Sequence, residues 1–527
     1  MGLIAVATII ICAWRAPVAG APVVRTEGGM VSGSAGSLPG MRVYKGIPYA
    51  APPVGDLRWR APHLAAAWKG TRDGSRFAPI CPQKTDDRDS IYYLNPGPQI
   101  ESEDCLYLNV WTGAHSASDR LPVLVWLYGG GFDHGSGTEK YYWGDDLAHK
   151  GAVVVTFNYR VGVLGFLAYP ELTEESGHDA SGNYGLMDQV AALRWVRRNI
   201  AAFGGDPERV TIFGQSAGGS SVALLTVSPL SVGLFQRAIA ESGGLGQAGR
   251  KLADAESAGV AFAASVGARN LDDLRRLNVD QLRAVLGTGG PIVDGYVIPD
   301  DPAAIYRAGK QSDVPLIAGS TENEGGVRSI NTTATAAEVI AHRLFAEEAE
   351  DYLRYYPAGS DAEAIASAYR QAAERTAAAQ RNWARLKSAN GKSSTYLYRF
   401  SRVPPFPPDA HFREGPLAQF GAYHSVELIY VFDHLYLKNW TWTDVDRRIA
   451  DQMSSYWVNF AATGNPNGPG LPLWPGYDAQ DQQLMNFAET TRAVPIPRQD
   501  ALDFLDAHPL AGARSGVAGG GPNVVNR

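Results

Sequence analysis

From residue 121 onward, short apolar runs alternate with longer stretches of helical periodicity. Leu121–Tyr128, Ala152–Asn158, Val210–Phe213, Arg237–Ala240, Val314–Ala318 and Thr395–Phe400 are continuous apolar or β-branched segments. Runs of this kind suit strands covered on both faces, as in a parallel sheet. Between the second and third lies Gly185–Phe203, where Leu186, Val190, Leu193, Val196 and Ile200 recur at intervals of three and four. That spacing predicts one amphipathic helix. Strand and helix in alternation predict an α/β protein built on a large, mostly parallel sheet. Residues 250–290, which include the helical piece Leu271–Leu277, and the Ala-rich block 334–390 break the rhythm and are expected to be helical insertions. Pro404, Pro405, Pro407 and Pro408 mark a rigid loop, and the Gly-rich residues 511–527 are predicted to form a flexible tail.

Charged residues make up 19% of the 527 and apolar ones 45%, a balance that supports a large core. The net charge of -7, with no basic run, leaves no electrostatic footprint for nucleic acid. Leu3–Trp14 is too short an apolar stretch to span a bilayer but has the length of a signal-peptide core. With the small residues Ala19, Gly20 and Ala21 as a cleavage region, residues 1–21 are expected to be a signal peptide, although no Lys or Arg precedes the apolar run. A secreted or periplasmic protein follows, with no membrane span. Cys12 leaves with the signal, and the remaining pair, Cys81 and Cys105, reads as one disulfide in an exported chain.

The chemistry is concentrated in Gly214-Gln215-Ser216-Ala217-Gly218. With 58 glycines in the chain, chance supplies roughly 0.4 such G-x-S-x-G pentapeptides, so the flanks decide. The apolar run Val210–Phe213 precedes it and the helical Ser220–Thr226 follows, which is the strand, tight turn and helix of a serine nucleophile elbow. Gly129-Gly130-Gly131, directly after the run ending at Tyr128, offers bare backbone N–H groups for an oxyanion hole, with Ala217 donating the remaining one. Chain order then requires an acid and a histidine further on. Glu322 and Glu324 are equivalent by spacing, and His342, His411, His424, His434 and His508 all follow them. The chain has no H-E-x-x-H and no calcium-loop pattern, and no metal or cofactor is expected.

These residues resemble the type-B carboxylesterases, the carboxylesterase and cholinesterase family of α/β-hydrolases, in a secreted bacterial form. The resemblance rests on Lys45–Ala50 (KGIPYA), Ser102–Val110 (SEDCLYLNV), Trp126–Phe132 (WLYGGGF), Asn158–Phe166 (NYRVGVLGF), Gly182–Pro207, Thr211–Gly219 (TIFGQSAGG) and Asn459–Asn467 (NFAATGNPN). It implies the α/β-hydrolase fold, one domain over residues 22–510 where length alone suggests three or four, and hydrolysis of a small-molecule carboxylic ester. It also implies Glu324 as the acid, His424 as the base within Gly421–Glu427, Ser242 in Glu241-Ser242-Gly243 as a residue orienting the acid, and a Cys81–Cys105 bridge. Cleavage of amides or thioesters by the same machinery stays open, and a non-catalytic binding protein is disfavoured because all three triad residues are present. Two departures bear on substrate. Gln215 stands where many members carry Glu, and the segment between Cys81 and Cys105, reading Leu94-Asn95-Pro96, has no tryptophan where cholinesterases hold a quaternary ammonium. Uncharged esters are therefore expected to be preferred over choline esters.

Overall fold

The computed structural model describes residues 23–83, 90–92, 99–283, 289–326 and 330–508. The expected signal segment 1–21, the tail 511–527, and Tyr93 and Leu94–Pro96 lie outside the described residues.

Fourteen strands are found among the described residues. The first six are β1 (Val24–Thr26), β2 (Gly29–Ser32), β3 (Ser34–Ala35), β4 (Arg42–Pro48), β5 (Thr71–Asp73) and β6 (Tyr107–Thr112). Then come β7 (Leu121–Leu127), β8 (Val153–Phe157), β9 (Gly205–Gln215) and β10 (Arg237–Glu241). β11 (Leu316–Thr321), β12 (Thr395–Phe400), β13 (Gln483–Phe487) and β14 (Arg492–Pro495) complete the set. Strands β1, β2 and β5 form a small separate sheet, and the other eleven form one sheet in the order β14-β13-β12-β11-β10-β9-β7-β8-β6-β4-β3. From β8 through β13 neighbouring strands are parallel, while β3, β4, β6 and β14 close the edges antiparallel. This is the α/β-hydrolase architecture.

The parallel strands β7 to β12 coincide with the continuous apolar runs, and the reason is burial on both faces: every residue of β8 and all but the first of β7 are buried; the parallel β13, of mixed polarity, is not among the predicted runs. One strand is longer than its apolar run predicts. β9 starts at Gly205, which pairs with Leu121 of β7; the polar stretch Asp206–Arg209 falls in a register shift before pairing resumes at Val210 beside Val123, and Asp206 bonds Arg120 and Arg209 at the edge. The amphipathic helix runs Tyr184–Asn199 and tightens to a 3-10 turn over Ile200–Phe203. It is fastened to the segment after β8 by a bidentate ion pair, in which Arg160 Nε and Nη2 each donate to Asp188 at 2.8 Å. Both partners are buried, so removing either would leave an uncompensated charge.

Helices Leu252–Ser265, Leu271–Arg276 and Val279–Arg283 occupy the first block that interrupts the rhythm, and Ala334–Phe345, Ala349–Tyr355 and Asp361–Asn390 the second. Ser360 caps the 30-residue last helix by accepting from the Glu363 N–H. Buried apolar side chains from Val31 to Leu505 form one continuous cluster around the sheet. At its centre Trp126 packs on Tyr142, Phe213 and Phe432 with ring centroids 4.8, 4.8 and 5.1 Å apart. Among the described residues no helix is long and apolar enough to cross a membrane.

The register of the central strands matters most for the site. Gln215 of β9 pairs with Glu241 of β10, which pairs with Gly319 of β11. The residues that follow these three, on the carboxyl edge of the sheet, are therefore neighbours in space, where open α/β sheets carry their ligands.

Candidate active site

Ser216 sits between the end of β9 and the helix Ala217–Val227 with φ 58° and ψ -122°. A non-glycine residue at positive φ is strained and persists only where the surroundings over-determine it. Here they do. The Ser216 N–H donates to the Glu241 carbonyl at 2.8 Å, and Gly218 is wedged so closely that a Cβ would run into the Leu127 carbonyl oxygen. The sequence folds into this turn because an apolar strand stops at Gln215 and a small-residue helix starts two residues later at Ala217, leaving Ser216 alone to make the reversal.

Glu324 and His424 meet although they are 100 residues apart. His424 Nδ1 hydrogen-bonds Glu324 Oε2, while Glu324 Oε1 accepts from Ser242 Oγ at 2.6 Å and from the Thr321 N–H at 2.8 Å. Burial alone would raise the Glu324 pKa, but the imidazole charge and these hydrogen bonds outweigh it and hold the carboxyl below its ordinary value. Glu322 points elsewhere: its side chain is 45% exposed, 3.7 Å from Arg399. The residue between them makes the juxtaposition. Asn323 N–H donates to the Ala422 carbonyl at 3.0 Å, and its Oδ1 accepts from the Ala422 N–H at 2.9 Å, so the acid loop is clasped to the histidine loop.

The other histidines are engaged apart from this cluster. His342 faces Glu350, His411 is exposed, His508 bonds Glu348, and the buried His434 has Nδ1 3.1 Å from the Tyr141 carbonyl.

His424 is bonded at both ring nitrogens. With Nδ1–H donating to the carboxylate, Nε2 is left as an acceptor, and the Gln215 side-chain amide donates to it at 3.1 Å. Ser216 is adjacent in sequence to Gln215, yet among the described residues no hydrogen bond joins Ser216 Oγ to His424.

The glycine loop after β7 lies against the turn at Ser216. A Cβ on Gly129 would come within 3.2 Å of Ser216 Cβ and 2.9 Å of the Gln215 carbonyl oxygen. The next residue, Gly130, has φ +102° and its carbonyl accepts from the Asp133 and His134 N–H groups at 3.0 and 3.2 Å, which closes a turn. Gly131 follows at φ +64°, and Ala217 opens the helix, where an N–H has no partner within the helix.

Two buried carboxyls were not singled out from the sequence. Glu427 Oε1 lies 3.3 Å from Ser242 Oγ, and Glu241 Oε1 accepts from Trp457 Nε1 at 2.8 Å. Burial pushes the Glu241 carboxyl up to about 8, and burial together with the charges of Glu324 and Glu241 pushes Glu427 well above the usual range. A charged residue type reads as surface, so the available signal was their position within the motifs Glu241-Ser242-Gly243 and Gly421–Glu427.

Cys81 and Cys105 are joined by a disulfide. Within the segment it closes, Ser90 Oγ and the Ile91 N–H donate to Glu414 at 2.7 and 3.0 Å, and Lys438 Nζ donates to the Ile91 carbonyl at 2.8 Å. Tyr92 thereby packs edge-on against Tyr423, the residue before His424.

The α/β-hydrolase sheet thus carries Ser216 in the turn after β9 and the hydrogen-bonded pair Glu324–His424 at the same carboxyl edge. The sequence profile of the carboxylesterase family matches residues 20–505, and the chain belongs to that family. It is 37% identical over 491 residues to the fumonisin B1 esterase of Sphingopyxis macrogoltabida, covering 88% of this chain and 85% of that one. It is 34% identical over 492 residues to the para-nitrobenzyl esterase of Bacillus subtilis (strain 168), covering 88% and 94%. Among solved structures, a PNB esterase superposes with a TM-score of 0.76 at 31% identity over 91% of this chain and 98% of its own. A thermophilic PNB esterase gives 0.77 at 32% identity over 92% and 99%. The protein is a carboxylic-ester hydrolase.

Proposed function

We propose that Ser216, His424 and Glu324 are the catalytic triad and that the substrate is an uncharged, or at least non-choline, small-molecule ester. His424 takes the Ser216 proton at Nε2 as Oγ attacks the ester carbonyl, and Glu324 holds the ring tautomer and stabilises the imidazolium. The N–H groups of Gly130, Gly131 and Ala217 bind the oxyanion of the tetrahedral intermediate. His424 then protonates the departing alcohol, and water cleaves the acyl-enzyme by the same relay in reverse. The transfer requires Nε2 to exchange its bond with Gln215 for one with Ser216, an adjustment in keeping with the looser geometry of substrate-free sites.

The observation that carries the reading is the Glu324–His424 hydrogen bond, which leaves Nε2 directed at the end of β9 beside Ser216. The relatives named for fumonisin B1 and para-nitrobenzyl esters support a small organic ester as substrate. The neutral Gln215 supports an uncharged one. A secreted or periplasmic location, a signal over residues 1–21 and one domain over 22–510 belong to the same reading; the disulfide supports export, because such bonds persist in oxidising compartments.

The test is a hydrolysis screen across nitrophenyl esters of varied acyl length, with Ser216→Ala as control. Turnover by the parent chain and a loss of several orders of magnitude in kcat, with no organophosphate labelling, are expected of the variant. Labelling of Ser216→Ala at the parental rate would refute the assignment.

A further inference from the structure

Gln83 lies two residues beyond Cys81 and is buried, 6% exposed. Its carboxamide is used on both sides. Nε2 donates to the Cys81 carbonyl at 2.9 Å and to the Gly135 carbonyl at 3.1 Å, while Oε1 accepts from the Gly135 N–H at 2.6 Å. One side chain thus pairs with both backbone groups of Gly135, as a neighbouring strand would.

Gly135 is the far end of the loop that begins at Gly129. It has φ +112°, and a Cβ there would meet the Gly129 carbonyl oxygen at 2.8 Å and strike the Tyr128 ring, so the two ends of the loop pack on each other. The near end lies against Ser216, and the Gly130 carbonyl closes the turn between them. On the other side, the base of Gln83 is held by the disulfide, and Asn158 Nδ2 donates to the Cys105 carbonyl at 3.2 Å and to the Pro79 carbonyl at 3.1 Å. The path from the crosslink to the glycine loop is therefore short and hydrogen-bonded throughout.

We infer that Gln83 is a positioning residue of the esterase site: it ties the Cys81–Cys105 segment to the glycine loop and so holds the Gly130 and Gly131 N–H groups where the oxyanion forms. The inference rests on the oxyanion role proposed for those glycines. An oxyanion donor acts only when it sits about 2.7–3.1 Å from the developing charge, so a small loss of loop position is a large loss of rate. Without the carboxamide, the Gly135 N–H and C=O would also be buried without partners, which favours movement of the loop toward water.

The experiment uses two full-length variants. Gln83→Met keeps length and shape but removes all three hydrogen bonds; Gln83→Glu keeps an acceptor for the Gly135 N–H but sets an oxygen against two carbonyls. Active sites are counted by endpoint organophosphate titration. Per titrated site, kcat should fall by about 10-fold or more, with KM nearly unchanged. Affinity for a trifluoromethyl ketone, which forms a tetrahedral adduct on the serine, should fall in parallel, while the pH profile of kcat/KM stays in place. A role confined to stability would lower the melting temperature and leave kcat per site and ketone affinity at the parental values, and that result overturns the inference. Should one variant fail to fold, the other decides. Failure of organophosphate to label Ser216 in the parent would instead refute the triad, a separable outcome.

Discussion

The Gln215 side-chain nitrogen lies 3.1 Å from His424 Nε2, on the side of the ring opposite the Glu324 carboxylate. The imidazole is thus bracketed by one anion and one neutral amide. Gln215→Glu would place a second carboxylate at that distance and favour the imidazolium. The acid limb of the kcat/KM profile should move to higher pH, since the proposed base must be neutral to accept a proton. An unmoved limb would place Gln215 away from the working base.

The same neutral amide bears on substrate class. The parent should hydrolyse a neutral thiobutyrate ester with higher kcat/KM than butyrylthiocholine, and Gln215→Glu should narrow the gap. A clear parental preference for the choline compound would show that other aromatics, Trp440 or Trp442, supply a cation face.

Glu322 and Glu324 differ by two positions and are expected to differ by orders of magnitude in effect. In the proposed triad Glu324→Gln removes the charge that would steady the imidazolium and should lower kcat by about 10³–10⁴-fold. Glu322→Gln, at an exposed side chain beside Arg399, should leave kcat unchanged. Equal losses in steady-state assays would mean that the loop is read wrongly.

Glu241 makes stability depend on pH. Burial pushes its carboxyl from the ordinary value of 4.5 up to about 8, so folding favours the protonated form. The stability it contributes is fully present below the unfolded value and is lost as pH rises from about 4.5 to about 8, on the order of a few kcal/mol. Gln keeps an acceptor for Trp457 Nε1 without the charge. Urea midpoints of Glu241→Gln and the parent should therefore diverge in the variant's favour between pH 5 and 8; parallel curves would argue against a buried titration.

Gly130 tolerates no side chain. At φ +102°, with a Cβ directed into the His134 carbonyl oxygen, Gly130→Val must displace the loop. A loss in kcat of about 10²-fold or more is expected, read against organophosphate-titrated sites; parental turnover would put the oxyanion hole elsewhere.

The amino-acid sequence by itself determined what depends on neighbours along the chain. β7, β8, β10 and β12 were legible because a strand buried on both faces must be apolar throughout, and the elbow at Ser216 because an apolar strand, a small-residue turn and a helix follow one another within a few residues. Where burial and polarity disagree, or where partners are distant, the local pattern was silent. β4 and β6 pair antiparallel although far apart in the chain, Val43 beside Trp111, with no shared period to announce it. Which of Glu322 and Glu324 meets His424, a matter spacing left open and only the family resemblance tipped, goes with the Asn323 clasp on Ala422, and the depth of Glu241 and Glu427 with the elements packed over them. No local pattern marks Gln83, and the disulfide and the turn of the glycine loop set it opposite Gly135. Only the tertiary structure decided these, because each is a hydrogen bond or a burial created by segments that meet in space, and periodicity records which way a side chain faces, not what it meets there.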